Sequence, residues 1–248
     1  MSVRFRRFAC LAPLLGCWLA WPGATSGQTP EMLQQFFIAE TVFLQDRYEL
    51  QVTLGAVYRA GPVSRIWRRS AGVEFGLTER LQISAGFPFV SLTPTGAAVV
   101  RGLGNTGVGV AYGLFTDVAS LAVTIGLDVG LPGRHADSLL AEGRVVWEPR
   151  AVIARQIGLA QLHLSAAVEL GAQPSLSANL ALVFPLRELR LITEVNWLGN
   201  NDPVLFFTPG LIWQAPRGLE VGVGVPIGLS ADAPSTNLIV KLTYQVAL

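Results

Sequence analysis

Thirteen ionisable residues in this 248-residue chain are spaced so that they could share one interior surface. The acids are Glu49, Glu74, Asp128, Glu148, Glu169, Glu194 and Glu220, and the permanent bases are Arg68, Arg80, Arg150, Arg190 and Lys241, joined by His163. Most stand among apolar or small residues, on the polar side of a two-residue alternation. Charges so placed can line a constriction that selects ions or polar solutes. They can equally form a network of cross-strand ion pairs that fills a narrow interior. Either way they belong inside, because a charge facing lipid costs about 2–4 kcal/mol at the midplane.

Other chemistries find less support. Catalysis needs a base beside a nucleophile, and His135 and His163 are the only histidines. Ser165 shares the face of His163, but a lone Ser and His two apart on a strand are not a triad. A lipid-modifying enzyme is therefore the least favoured reading, and no catalytic residue is assigned. Cys10 and Cys17 both lie in the N-terminal segment, and the histidines are far apart, so neither a metal site nor a cofactor site is expected. Two glycine series, Gly107/Gly109/Gly113 and Gly222/Gly224/Gly228, are not dinucleotide motifs, since no helix follows either. They mark close approach by a loop, room for bulky neighbours opposite, or an open path along that wall.

Composition says what kind of element must carry these residues. Mean hydropathy is +0.45 and only 14% of residues are charged, far below the roughly 25% of soluble domains. Yet beyond residue 25 no apolar run approaches the roughly 20 residues of a spanning helix. Only helices and closed barrels satisfy the backbone in lipid, so a spanning chain of this kind must be a barrel.

The N-terminus fits export. Arg4, Arg6 and Arg7 precede an apolar stretch from Phe8 to Trp21, and small residues follow from Gly23 to Gly27. Residues 1–27 are expected to be a cleaved signal peptide. Its loss would leave 15 basic against 17 acidic residues, a net of −2. Such a balance offers no basic field for nucleic acid.

From Tyr48 onward the chain alternates apolar and small or polar residues for about ten positions, then turns. The pattern is clearest in Tyr48–Tyr58, Leu81–Phe89, Leu121–Leu131, 162–170, 219–229 and Leu238–Leu248. Weaker versions cover 65–77, 104–115, 144–156, 175–185, 188–198 and 203–214. Twelve segments at about 17 residues per strand and turn exceed the roughly 8–12 of a soluble sandwich. The spacing suits membrane strands of about 9–11 residues. The fold class expected is all-β: a transmembrane antiparallel up-and-down β-barrel of about 12 strands over 48–248. Short turns are expected near Thr78, Thr116, Gly158, Leu186 and Pro216 on the periplasmic side, with the longest outer loops at Ser91–Gly104 and Pro132–Gly143. Residues 28–47 lack the alternation and contain Leu33-Gln34-Gln35-Phe36-Phe37-Ile38. They form a periplasmic lead-in, a small plug or an extra pairing element.

Several stretches resemble the bacterial outer-membrane channel family named for the meta-pathway of phenol degradation. They are Glu40-Thr41, the run from Glu74 to Leu81, the run from Leu127 to Arg134, and Trp147–Arg150 continuing to Arg155–Gly158. The resemblance implies an outer-membrane transporter of unassigned substrate. Taken together, the expectation is a passive channel in the outer membrane of a Gram-negative bacterium. Its partners would be outer-membrane lipid and a small permeant, with apolar or aromatic compounds as candidates. The alternative is a closed structural barrel whose outer loops bind a partner.

Overall fold

The computed structural model describes residues 33, 35–132, 140, 143–171, 174–199, 203–231, 233–234 and 236–248. The expected signal peptide, residues 1–27, lies outside them, as does most of the loop expected at Pro132–Gly143. No helix among the described residues is long and apolar enough to cross a membrane.

The chain is built from β-strands: β1 (Glu49–Ala60), β2 (Ser64–Thr78), β3 (Leu81–Pro94), β4 (Val100–Leu103), β5 (Thr106–Asp117), β6 (Leu121–Leu131) and β7 (Val146–Ile157) come first. They are followed by β8 (Ala160–Glu169), β9 (Ser175–Leu186), β10 (Leu189–Gly199), β11 (Val204–Ala215), β12 (Leu219–Gly224), β13 (Ile227–Gly228) and β14 (Thr236–Ala247). Two of the breaks fall within single barrel strands. Both β4 and β5 pair with β3, at Phe89↔Leu103 and Gly86↔Gly107, with a one-residue register shift at Gly104-Asn105. Similarly, β12 and β13 both pair with β11 in unbroken register, interrupted at Pro226, which has no N–H to give. The ring therefore has twelve strands, each hydrogen-bonded antiparallel to two neighbours. Pairing of β1 with β14, from Glu49↔Ala247 to Ala60↔Thr236, closes it.

Closure explains why this sequence needs no soluble core. The ladder satisfies the backbone, and the alternation sends one residue set outward and the other into the lumen. Leu54, Ile83, Phe87, Ile125, Ile153, Leu211 and Leu242 are large, apolar and exposed, as a lipid belt requires. Their chain neighbours Thr53, Gln82, Thr124, Val152, Ile212 and Thr243 are buried on the inner face. Tyr48, Tyr112 and Trp213 face outward near the periplasmic end, and Trp67, Phe89 and Trp197 near the outer end.

The five connections expected on the periplasmic side are tight, with left-handed residues at Gly158, Arg187, Arg217 and Gly218. One expected loop is mostly ladder: Ser91–Gly104 continues as β3 and β4, leaving only residues 95–99 as a turn. Alternation fades there because this hairpin has fewer apolar outward residues, not because pairing stops.

Candidate functional site: a lumen threaded by the N-terminal segment

The lumen contains a strand-less piece of chain. Residues 35–47 run inside the barrel before turning into β1 at Tyr48, whose φ is 63°. There the Tyr48 N–H donates to the Gly76 carbonyl at 2.8 Å. A Cβ on Gly76 would stand 1.9 Å from the Asp46 carbonyl oxygen, so glycine is required for that approach.

Glu194, fully buried on β10, holds the segment's first bend. The N–H groups of Phe37, Ile38 and Ala39 donate to its carboxylate at 2.7, 3.0 and 2.8 Å. Successive backbone N–H groups aimed at one anion form a nest, and these bonds are charge-assisted. Asn196 Nδ2 donates a fourth bond to the same carboxylate at 3.0 Å. From β14, three strands further round the ring, Lys241 Nζ donates to the Phe36 carbonyl. Further along, Thr124 Oγ1 donates to the Val42 carbonyl at 2.7 Å, and the Gln45 N–H to Gln82 Oε1 at 2.8 Å.

Apolar packing fixes the same side. Leu33, Phe36 and Phe37 form a buried cluster with Ala181, Val183, Ile192, Ile212 and Ile239. Phe37 occupies a hollow that three glycines leave: a Cβ on Gly210, Gly222 or Gly224 would meet its ring at 2.1, 3.2 or 2.6 Å. The Gly222/Gly224 series thus marks close approach.

The facing wall is different. Gly72, Gly86, Gly107 and Gly130 stand directly opposite one another across β2, β3, β5 and β6. A Cβ on Gly86 or Gly107 would meet nothing within 4 Å. A cavity of about 410 Å³ lies on this side, lined by Glu40, Arg68, Glu74, Gly86, Gly107, Asp128, Glu148, Arg150 and Lys241 among others. A smaller one of about 170 Å³ lies against Ile38 and Glu40, with Arg59, Ser165, Asn179 and Asn196 in its wall. Of the Gly107/Gly109/Gly113 series only Gly107 faces open space: a Cβ on Gly109 would stand 1.9 Å from Asp128 Oδ1, and one on Gly113 would stand 3.2 Å from the Thr116 side chain.

Charges around the larger cavity are organised by Arg150. Its guanidinium meets Glu40 Oε2 at 2.6 Å and Asp128 Oδ2 at 2.8 Å. Glu74 accepts from Gln35 at 2.9 Å, Gln82 at 3.0 Å and Gln51 at 3.3 Å. This arrangement orients charge and hydrogen-bonding groups around a space; it aligns no nucleophile with a base. Ser165 Oγ instead accepts from Asn179 Nδ2 and the Glu40 N–H.

Of the residues singled out from sequence, Arg68, Glu74, Asp128, Glu148, Arg150 and Lys241 border the larger cavity. Glu194 and His163 face inward but lie under the segment. His163 is wedged between Phe36 and Phe43, with ring centroids at 4.7 and 5.6 Å. Glu49 sits at the periplasmic mouth, where its carboxylate accepts from the Asp46 N–H. Arg190 donates to the Leu189 carbonyl, and Glu220 accepts from Gln214 at 2.8 Å, both near periplasmic turns. Glu169 ends β8 near the outer rim. Arg80 must be corrected: it is exposed in the β2–β3 turn, because β2 ends at Thr78 after a register shift. Sequence reasoning missed Gln35, Phe37 and Glu40 as luminal groups. The signal was the unpaired apolar run Leu33–Ile38, too hydrophobic to lie free in water.

No family model matches the chain, and no curated protein does. Solved structures match throughout its barrel. The COG4313 outer membrane channel from Pseudomonas putida F1 aligns with TM-score 0.66 at 11% identity, covering 87% of this chain and 100% of that one. The KdgM porin aligns at 0.58 and 9%, covering 78% and 98%. The NanC porin aligns at 0.54 and 8%, covering 79% and 99%. At such identities the likeness is one of fold: the chain is a closed twelve-stranded β-barrel of the outer-membrane type.

Proposed function

We propose that this protein is a passive outer-membrane channel whose lumen is narrowed to one side by its own N-terminal segment. The observation that carries this reading is the row Gly72–Gly86–Gly107–Gly130, bare of side chains, whose first three members border the larger cavity. Glycine within a strand weakens it, so four in register need a reason, and a passage along the wall supplies one. The fold neighbours described as porins and as a channel support the same reading.

Permeants follow from the wall. Arg68, Arg150 and Lys241 face Glu40, Glu74, Asp128 and Glu148 around the cavity, so both charge signs are present. Such a wall favours small solutes with a polar end over purely apolar ones. Small aromatic compounds bearing hydroxyl or carboxylate groups suit it, and suit the resemblance to the phenol meta-pathway family.

The test is swelling of liposomes containing the full chain, with sugars of increasing size and with hydroxylated aromatic acids. Entry of the small solutes and exclusion of the larger sugars is expected. Folded protein that admits none would favour the closed structural barrel, which the packing of Phe36 and Phe37 across half the lumen also suits.

A further inference from the structure

The lipid-facing surface of the barrel is charged in one place near its outer end. In β2, Arg65, Trp67 and Arg69 share the outward face, and Trp67 stands opposite Ser91 of β3, which stands opposite Arg101 of β4. All three arginines are exposed. Arg65 and Arg69 flank Trp67 by two residues, about 7 Å each way, and Arg101 lies two strand spacings off, about 10 Å. Tyr58 packs on Trp67, with ring centroids 4.7 Å apart, and completes an aromatic floor between the cations.

The height of this cluster matters. β2 has 15 residues. At about 3.4 Å per residue and a tilt of about 40°, it rises about 40 Å against an apolar belt of about 25 Å. Counted from Thr78 at the periplasmic end, Arg69 stands at about 23 Å and Arg65 at about 34 Å. Both are therefore at or above the outer boundary of the hydrocarbon, where headgroups lie. Among the described strand residues, no other charge faces lipid in this outer half. Nor does any carboxylate pair with Arg65, Arg69 or Arg101 among the described residues.

We propose that Arg65, Arg69 and Arg101, with Trp67 between them, form a binding site for a phosphorylated lipid of the outer leaflet. Charge complementarity argues for it: guanidinium forks match phosphate oxygens bidentately, and two or more separated cations suit a headgroup with two phosphates. Placement argues for a lipid over a soluble anion, since the aromatic floor continues the apolar belt on which acyl chains would rest. The site is independent of any transport through the lumen.

The test uses the full-length folded protein in detergent, with diphosphoryl lipid A as probe and native mass spectrometry as readout. Retention of the lipid by the wild-type protein is expected, with a loss of about tenfold or more in R65Q/R69Q/R101Q, as removal of bidentate phosphate contacts implies. The variant R155Q, whose arginine faces outward near the periplasmic end, should bind as wild type. A heat-modifiable gel shift shows that each variant is folded. Equal binding by the triple variant, equal retention of dephosphorylated lipid, or competition by millimolar inorganic phosphate would each overturn the proposal. So would a concentration-dependent dimer lost in the triple variant while lipid binding stays unchanged, which would give the patch to a second copy.

Discussion

At the residue scale, Glu194 and the glycines under Phe37 keep the luminal segment in its seat. Glu194→Ala leaves three backbone N–H donors without their acceptor, two of them buried, and each buried orphan costs about 1–3 kcal/mol. The segment should then leave its seat more often, raising conductance and exposing residues 35–47 to added protease. Glu194→Gln keeps an acceptor and should fall between. Gly224→Val would place a side chain where the Phe37 ring now lies, since even the new Cβ would stand 2.6 Å from that ring. It should give the same rise in conductance without touching any charge. An unchanged conductance in both Glu194→Ala and Gly224→Val would mean that the segment does not restrict flow. The inward placement of Glu194 was legible from its alternation with Val195. Its partners were not, because backbone N–H groups belong to every residue and leave no mark in sequence. Arg80 shows the converse error, where a charge one step beyond a strand end was assigned a face it does not have.

At the element scale the strands were legible and the segment was not. Period two over ten residues marks a lipid-facing strand wherever it occurs, and all twelve segments read this way are paired in the ring. Residues 35–47 lack any period, because their partners are scattered over β2, β3, β6, β8, β10 and β14 rather than along one ladder. A chain held by contacts of that kind obeys no repeat. Its stability is nonetheless measurable by hydrogen exchange. The amides of Phe37, Ile38 and Ala39 should exchange as slowly as those of the neighbouring strands, and much more slowly than those of the 95–99 turn. Exchange at the rate of an unstructured peptide would show that the segment is not seated in the lumen.

At the scale of the whole molecule, twelve strands lie between the eight that side chains fill and the 16–18 that leave a wide aqueous pore. The intermediate width leaves room for a chain segment and a cavity side by side. Hydrophobic packing and the nest on Glu194 fill one side, while an ion-paired, glycine-walled space remains on the other. Heat-modifiable migration on gels should report the closed barrel, and R150Q, which frees Glu40 and Asp128 from their shared cation, should shift ion preference towards cations in reversal-potential measurements. If solutes pass along the glycine wall, blocking that wall must block the channel, and single-channel conductance of Gly107→Phe against wild type reads this without intermediaries. The phenylalanine would project into space that no atom within 4 Å of a Cβ now occupies. A conductance several-fold below wild type is expected, from protein that still shows the folded gel shift. Conductance equal to wild type would place the passage elsewhere and refute transport along the glycine wall.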